Sequence, residues 1–288
     1  MARGLDHVAH AVRDLDAAAD LYRRMGFTVG ARNRHSWGTH NSIVQLPGFF
    51  VELLTIGEPE KLGTDGLSTL FGRFNERFLK SREGLSFLVL ESHDAKADAA
   101  AFRAAGIAAS EALPFERDAK RPDGSVVKVG FSLAFARDEL APNASFAVCQ
   151  QHYPENFWNP KFQVHDNGAT GIAGVVMAAD SPTDQQIFLS AFVGERDLQS
   201  TSSGITVKTP RGEIQVMEPR AFRDHYGADI SIASGARLAA LRFTVGTLAK
   251  VEDVLKRGGV SFVKHMGRIT VPPRAAMGAA IVFEQGES

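Results

Sequence analysis

The sequence predicts an α+β fold in which one β-α-β-β-β unit occurs four times. The first observation is that residues 4–27 combine the pattern of a buried strand, a turn and an amphipathic helix that ends at a glycine. The second is that this pattern returns near residues 84, 170 and 238, followed each time by short extended runs. A unit that recurs at similar intervals indicates a repeat architecture. We therefore expect four modules along the 288 residues.

The opening strand and helix define the first module. Strand side chains alternate between two faces, so the pattern places His7 with Leu5 on one face and Asp6 on the other. Asp14 precedes apolar residues at three- and four-residue spacing and is the predicted N-cap of the helix. Gly26 follows the last of these apolar residues and is predicted to end the helix.

Three extended runs complete the first module, at residues 27–36, 39–45 and 49–56, with turn residues between them. The last run, FFVELLTI, places Glu52 among apolar neighbours, where a carboxylate requires a partner. Residues 57–82 show little strand pattern, and LSTLFGRFNERFLK within them has helical spacing. We expect a linker that contains one helix.

The later modules repeat this order with more variation. In the second module, a strand that begins at Gly84 leads to a helix capped by Asp94, and RPDG at 121–124 predicts a turn. The third module begins with a strand at Thr170 and has a weaker helix. The fourth begins with a strand at Leu238, and its helix is LAKVEDVLKRGG.

The composition is that of an ordinary globular chain and argues against several classes of function. With 44% hydrophobic and 23% charged residues, the chain can bury a sizeable core. A net charge of -1 without a Lys/Arg cluster argues against nucleic-acid and membrane-surface partners. The single Cys149 cannot form an internal disulfide, and no secretion signal or long apolar run is evident, so a cytoplasmic location is expected. Nucleotide-binding glycine loops, nucleophile elbows and Cys/His zinc spacings are absent from the sequence.

The paired units, opened by GLDHVAHAV and a helix that ends in YRRMGF, resemble the vicinal oxygen chelate superfamily. Its members include glyoxalase I, extradiol dioxygenases, methylmalonyl-CoA epimerase, fosfomycin-resistance enzymes and bleomycin-resistance proteins. Within it, CQQHYPENFWNPKFQVHDNGA at 149–169 resembles the bacterial glyoxalase-like domain proteins. The resemblance implies that each pair of modules folds into a half-open cup, giving two cup-shaped domains in tandem. It also implies a divalent metal inside a cup, held by residues of the first and last strands.

Carried over residue by residue, the resemblance implies metal-ligand roles for His7 on the first strand and Glu52 on the fourth. Imidazole nitrogen and carboxylate oxygen suit Fe²⁺, Mn²⁺, Ni²⁺, Co²⁺ or Zn²⁺, and open coordination positions would let a substrate chelate. Phe87 stands where the second module would supply a ligand, so it is expected to contact the substrate instead. His152, at the end of that module, is the expected third ligand. In the alternative interpretation, His7 and Glu52 are hydrogen-bonded core residues and His152 anchors the following linker.

The segment 153–169 is rich in aromatic residues, unlike a flexible linker. One interpretation is a joint whose aromatic side chains fill the gap between the two cups. The other is a flap over the N-terminal cup, in which Phe157 or Trp158 stacks on a ligand and His165 offers a hydrogen bond or a proton. Both could be true. His35 on the second strand is a further candidate for the lining of this cup, together with its neighbours Arg34 and Trp37.

The C-terminal pair of modules lacks the residues expected of a metal site. At the positions equivalent to His7 and Glu52, the third module has Gly174 and Gln215. This pair is therefore expected to have a structural or ligand-shaping role, and it could supply the face of a homodimer. The predicted domains are an N-terminal glyoxalase-like domain at 1–152, the connecting segment at 153–169 and a degenerate C-terminal glyoxalase-like domain at 170–288.

Two classes of function follow from this reading of the sequence. The first is a metal-dependent lyase, isomerase or dioxygenase that acts on a small oxygen-bearing substrate. The second is a metal-free protein that binds or sequesters a small molecule, as in the bleomycin-resistance branch. His7 and Glu52 favour the enzyme, whereas Phe87 and the abundance of phenylalanine, 20 residues in all, favour the binding protein. Fold alone does not fix the reaction.

Overall fold

The computed structural model describes residues 2–120, 124–233 and 235–286. Within these ranges the chain forms two eight-stranded sheets, one after the other in sequence. The first sheet contains β1 (Leu5–Ala11), β2 (Asn33–Arg34), β3 (Thr39–Leu46), β4 (Phe49–Ile56), β5 (Gly84–Glu91), β6 (Leu113–Lys120), β7 (Val126–Ala136) and β8 (Ser145–Gln151). The second contains β9 (Ala169–Ala178), β10 (Leu198–Thr201), β11 (Gly204–Lys208), β12 (Glu213–Met217), β13 (Arg237–Val245), β14 (Val263–His265), β15 (Arg268–Val271) and β16 (Ala280–Gln285). The α-helices are α1 (Leu15–Arg24), α2 (Phe74–Ser81), α3 (Ala95–Ala104), α4 (Pro154–Phe157), α5 (Gln186–Val193), α6 (Pro219–Tyr226) and α7 (Leu248–Arg257).

Each half of a sheet is one β-α-β-β-β module. The strand order of the first sheet is β2-β3-β4-β1-β5-β8-β7-β6, so the first strands of the two modules, β1 and β5, are central neighbours. These two strands pair antiparallel, whereas each pairs parallel with the last strand of its own module. The second sheet repeats this order with β9 and β13 at its centre. The predicted α+β fold, with four modules in two tandem half-open cups, is confirmed.

The helices of the modules lie over a hydrophobic core that the two sheets share. The Asp14 side chain accepts hydrogen bonds from the first backbone N–H groups of α1, and Asp94 caps α3 in the same way, as predicted. The ring of Phe27 lies 5.0 Å from that of Phe243 in β13, which joins the two halves of the chain. No helix in the described ranges is long and apolar enough to span a membrane.

A β-bulge in β1 changes the direction of one side chain. The register of β1 against β5 shifts between Leu5 and His7, so Asp6 is an extra residue in the pairing. Leu5 packs into the core beneath the helices, whereas Asp6 contacts His7 on the inner face of the sheet. The prediction that Leu5 shares the face of His7 while Asp6 faces away is wrong, because strict alternation ends at the bulge.

Several other segments differ from the sequence-based expectation. Of the extended run predicted at 27–36, only Asn33–Arg34 pairs as a strand. The helix expected within 57–82 is present as a π-helical segment, Ser68–Arg73, that continues into α2. The strand β10 and the helix α6 are additional elements of the third module that the sequence pattern does not predict. The turn predicted at 121–124 lies, except for its last residue, outside the described residues.

Candidate functional site

The first sheet curves around a cavity of about 600 Å³. Residues of both modules of this sheet line it, together with part of the segment 153–169. The walls are largely aromatic and include Trp37, Phe87, Phe115, Phe131, Phe157 and Trp158. Polar side chains, among them His7 and Glu52, are also exposed to the cavity. A concave apolar pocket with a few convergent polar groups is typical of a small-molecule site.

His7 is held in one orientation within this cavity. Its Nδ1 lies 2.5 Å from Oδ1 of Asp6, and its ring stacks on Phe50 at a centroid distance of 4.3 Å. The other oxygen of Asp6 accepts a hydrogen bond of 3.0 Å from the Gln151 amide on β8. Because the Asp6 carboxylate accepts the Nδ1 proton, Nε2 is the nitrogen of His7 that can bind a ligand.

Glu52 is buried near His7 and carries an unusual proton affinity. Its Oε1 accepts a hydrogen bond of 2.6 Å from Nδ2 of Asn41 on β3. Burial raises the pKa of Glu52, while the charge of His7 and the Asn41 hydrogen bond act in the opposite direction. The carboxyl group therefore keeps its proton to higher pH than an exposed glutamate does.

Asn41 links Glu52 to a second histidine, His35. The Asn41 amide donates to Nε2 of His35 at 3.2 Å, and Nδ1 of His35 lies 2.8 Å from the Thr39 hydroxyl. The His35 ring stacks on Trp37 at 4.3 Å. Burial lowers the pKa of His35 to about 3, and the positive charge of Arg117 acts in the same direction. His35 is thus a neutral hydrogen-bonding residue at neutral pH.

The expected third ligand, His152, lies outside the cavity. Its side chain is exposed, and Nε2 is 2.8 Å from the Ser132 hydroxyl. Alternation along β8 turns Ala147 and Cys149 inward instead. The described residues contain no group of three or more His, Cys, Asp or Glu side chains that could hold a metal ion. His7, Glu52 and His152 therefore do not come together as the expected set, because the His152 side chain lies on the outer face of the sheet.

Cys149 is the thiol of this cavity and lies in an environment that disfavours its ionised form. Burial raises its pKa well above the ordinary value, and the charges of Asp6 and Glu52 add to the effect. The Cys149 side chain therefore remains a protonated, apolar part of the wall at neutral pH.

Phe87, on β5, is fully buried in the aromatic wall. Its ring lies 4.7 Å from that of Phe71 and 5.1 Å from that of Phe74. These two residues belong to the helical linker between the first two modules. The linker therefore closes one side of the cavity.

The two aromatic residues of the connecting segment that were predicted to stack on a ligand both reach the cavity. The rings of Phe157 and Trp158 lie 5.0 and 6.0 Å from that of Phe50, and both residues line the cavity. Gln45 on β3 fixes them, because its side-chain amide donates to the Phe157 carbonyl at 2.8 Å and its Oε1 accepts from the Asn159 N–H at 3.0 Å. The segment thus forms part of the cavity wall.

His165, the third predicted residue of this segment, is not part of the cavity lining. Its Nδ1 accepts a hydrogen bond of 3.1 Å from the Thr28 N–H, and its Nε2 donates to the Gln45 carbonyl at 2.8 Å. Burial lowers the pKa of His165, so the ring is neutral and both nitrogens are engaged with backbone groups. His165 therefore lies where a joint between the two cups would place it, and not in a flap over the cavity.

Two buried polar atoms of the lining residues have no hydrogen-bond partner among the described residues. They are Nε1 of Trp37, a donor, and Oδ1 of Asn41, an acceptor. Buried polar groups are normally paired, so such atoms indicate places where a ligand or water binds. Asn41 and Asp6 are residues of the site that the sequence reasoning missed. Asn41 and Gln45 lie on the same face of β3, four residues apart, and this shared parity was the available signal for Asn41.

The family model for the glyoxalase-like domain matches residues 5–191, which includes every cavity-lining strand. The chain belongs to the glyoxalase-like domain family. The match covers the whole N-terminal cup, the connecting segment and the start of the second sheet. No curated protein matches this sequence.

Solved structures share the fold of this glyoxalase-like chain at low sequence identity. A hypothetical protein from Staphylococcus aureus has a TM-score of 0.69 and 12% identity, with 99% of this chain and 100% of that chain covered. A 4-hydroxymandelate synthase variant from Streptomyces coelicolor has a TM-score of 0.59 and 11% identity, with coverage of 100% and 95%. A xylose isomerase-like TIM barrel/4-hydroxyphenylpyruvate dioxygenase fusion protein has a TM-score of 0.54 and 13% identity, with coverage of 100% and 49%. The resemblance to the vicinal oxygen chelate superfamily is confirmed at the level of fold.

The second cup of the glyoxalase-like chain is built differently at the equivalent positions. In the first sheet His7 lies between Phe50 of β4 and Val89 of β5, and in the second Gly174 lies between Glu213 of β12 and Arg242 of β13. The Arg242 guanidinium forms ion pairs with Glu213 and Glu284. A glycine in place of His7 leaves room for this network, because a Cβ at Gly174 would lie 2.7 Å from the Glu213 carbonyl oxygen.

The helix α6 packs against the inner face of this second sheet. Its Phe222 and Tyr226 form a cluster with Val176, Ala240 and other small inward-facing residues. The Tyr226 hydroxyl donates a hydrogen bond of 2.6 Å to Gln215, the residue that stands where Glu52 stands in the first module. Side chains of the protein itself therefore occupy the space that is a cavity in the first cup.

Proposed function

We propose that the N-terminal cavity is the active site of a metal-dependent enzyme that acts on a small oxygen-bearing substrate. The observation that carries this proposal is the pairing of Asp6 with His7 beside Glu52. A histidine whose second nitrogen is held by a carboxylate is the usual arrangement of a metal-ligating imidazole. The proposed chemistry is that of a lyase, an isomerase or a dioxygenase, which this scaffold does not distinguish.

The donor atoms in the cavity fit a divalent cation. His7 would contribute Nε2 and Glu52 its carboxylate, and the unpaired amide oxygen of Asn41 is a further oxygen donor beside Glu52. Such a set leaves coordination positions open for two neighbouring oxygens of a substrate. The candidate ions are Fe²⁺, Mn²⁺, Ni²⁺, Co²⁺ and Zn²⁺, and a bound ion would polarise a substrate oxygen.

The protein's own side chains would contribute a ligand whose binding depends on pH and an environment with little water. Because burial raises the pKa of Glu52, protons would compete with a cation for this carboxylate at higher pH than they would at an exposed glutamate. The aromatic walls formed by Phe157, Trp158 and Phe87 bind the apolar part of a substrate and keep water away from His7 and Glu52.

Metal analysis by mass spectrometry tests the proposal, on protein purified without chelators or metal-binding tags. We expect one bound metal per chain, and its loss in folded His7→Ala and Glu52→Gln. His93→Ala is the matched control, since His93 is an exposed histidine outside the cavity. His152→Ala should also keep the metal, because its side chain points away from the site.

A metal-free binding protein is the second candidate. It is favoured by the aromatic walls and by the lack of a third His, Cys, Asp or Glu ligand among the described residues. If the parent protein takes up none of Fe²⁺, Mn²⁺, Ni²⁺, Co²⁺ and Zn²⁺, the metal proposal fails. The cavity would then be screened as a binding site for small aromatic or amphipathic molecules.

A further inference from the structure

Arg117 brings a positive charge into an apolar wall of the cavity. It lies on β6 between Phe115 and Ala119, and all three side chains line the cavity. Its directly opposite residue on β7 is Val129, another lining residue. Arg117 is half-buried, burial lowers its pKa, and its guanidinium donates a hydrogen bond of 3.4 Å to the uncharged carbonyl oxygen of Asp118. No carboxylate of the described residues offsets this charge, so an anionic ligand in the cavity can supply the counter-charge.

Trp37 offers a hydrogen-bond donor near Arg117. Its buried Nε1 has no acceptor among the described residues. The Trp37 ring packs edge-on against Phe115 at 4.7 Å, and Phe115 precedes Arg117 on the same face of β6. Trp37 also stacks on His35, the residue whose pKa the charge of Arg117 lowers. Arg117 and Trp37 therefore flank one corner of the cavity, which we call the Arg117–Trp37 corner.

We propose that the Arg117–Trp37 corner binds the carboxylate of an aromatic carboxylic acid, with Arg117 pairing the charge and Trp37 donating a hydrogen bond. The inference rests on the proposed function only in taking the N-terminal cavity as the substrate site. A carboxylate satisfies both donors at once, whereas a neutral group leaves the guanidinium uncompensated. The aromatic walls are suited to a planar ring in the rest of the ligand.

The other charges of the cavity favour a ligand with a single negative charge. His35 Nε2 lies 3.8 Å from Glu52 Oε1, so the Arg117–Trp37 corner is next to that carboxyl group. A single arginine close to the Glu52 carboxyl group suits a monoanion better than the doubly charged phosphate of a monoester. The ligand class is therefore a carboxylic acid.

Intrinsic fluorescence can report occupancy of this cavity. Trp37 and Trp158 are the two tryptophans of the sequence, and both line the cavity. As probes we choose 3-phenylpropanoate and 3-phenylpropanamide, which share ring and length but differ in charge. We expect the carboxylate to bind about tenfold or more tightly than the amide, the effect of one charge-assisted hydrogen bond.

Substitutions of Arg117 test the origin of this preference. Arg117→Gln should abolish the preference for the carboxylate. Arg117→Lys should retain part of this preference, because the positive charge remains while the planar guanidinium, which can donate two parallel hydrogen bonds, is lost. Lys128→Gln is the matched control, since it removes a positive charge from β7 outside the cavity lining and should leave the preference intact. Equal binding of the two probes to the parent protein, or a preference that survives in Arg117→Gln, would overturn the proposal.

A comparison of metal-free and metal-loaded protein separates this proposal from the metal proposal. Both probes are measured after chelator treatment and again after addition of Zn²⁺. A preference in the chelator-treated protein supports the Arg117–Trp37 corner, even if the metal analysis finds no metal. A preference that arises only after Zn²⁺ addition would assign carboxylate binding to the ion and overturn the role of Arg117, while leaving the metal proposal standing.

Discussion

Asp6 and His7 are consecutive residues of one strand, yet their side chains contact each other, with Oδ1 of Asp6 2.5 Å from Nδ1 of His7. Consecutive strand residues normally face opposite sides of a sheet. The β-bulge removes this separation, and the amide of Gln151 holds the other oxygen of Asp6. The orientation of His7 therefore depends on its own neighbour in the chain.

Asp6→Asn should weaken metal binding while His7 remains in place. The amide keeps the size of the side chain but removes the charge that fixes and polarises the imidazole, so we expect affinity to fall about 10–100-fold. Competition with a chromophoric chelator measures this change. Asp166→Asn, at an exposed carboxylate outside the cavity, is the control. An unchanged affinity in Asp6→Asn would show that Asp6 does not support a metal ligand.

Glu52→Gln should stabilise the metal-free protein at neutral pH more than at acidic pH. Burial raises the folded-state pKa of Glu52 above its ordinary value of 4.5, so the folded protein binds this proton more tightly than the unfolded chain. The resulting contribution to stability is fully present below the pKa of Glu52 in the unfolded chain. It is lost as the pH rises through the pKa of Glu52 in the folded protein. Glutamine does not titrate. Urea unfolding of both proteins at pH 4.5 and pH 8 measures the difference, and a difference independent of pH would contradict the raised pKa.

Gln45→Ala should loosen the connecting segment. The substitution removes two hydrogen bonds, to the Phe157 carbonyl and from the Asn159 N–H, so we expect the free energy of unfolding to fall by about 1–3 kcal/mol. Urea unfolding measures the loss, and the fluorescence of Trp158 should shift towards that of an exposed indole. Gln199→Ala, at an exposed position of β10, serves for comparison. Equal stability of the two variants would mean that Gln45 does not hold the segment.

Gly174→Ala should destabilise the second sheet. Its Cβ would lie 2.7 Å from the Glu213 carbonyl oxygen and 3.3 Å from the Arg242 guanidinium, and such overpacking costs about 1–3 kcal/mol. Gly171→Ala is a control on the same strand, where a Cβ meets open space. Calorimetry of the two variants compares them directly. If Gly174→Ala unfolds at the same temperature as Gly171→Ala, the Arg242 network is not tightly packed against this glycine.

The general fold could be predicted from sequence because each module carries its own local signals. Asp14 and Asp94 are aspartate caps before amphipathic helices, and both cap α-helices as expected. His7 and Glu52 could be placed in the cavity because the resemblance to the superfamily assigns sites to the first and last strands of the first module, whereas strand alternation alone misplaced Leu5 and Asp6. The helix α6 was not predicted, because it replaces what would be an ordinary connection after β12.

The details of the site depend on contacts that sequence patterns do not contain. A bulge such as that at Asp6 leaves no compositional trace in a strand with few glycines. His152 was the expected third ligand because it lies near the position equivalent to Glu52, but its side chain contacts Ser132 outside the cavity. Trp37 and Phe115 come from different modules, and their rings meet only through the curvature of the sheet. Partnerships of this kind arise between residues that are far apart in sequence.

The attachment of the connecting segment at Gln45 makes the two cups depend on each other. The same residues that carry the chain from one cup to the next, around Phe157 and Trp158, complete the wall of the first cup. If the second sheet were deleted, the connecting segment would keep its contact with Gln45 but would no longer be fixed at its C-terminal end. The first cup therefore depends on the second for the position of part of its wall, even though the second carries Gly174 where the first carries His7.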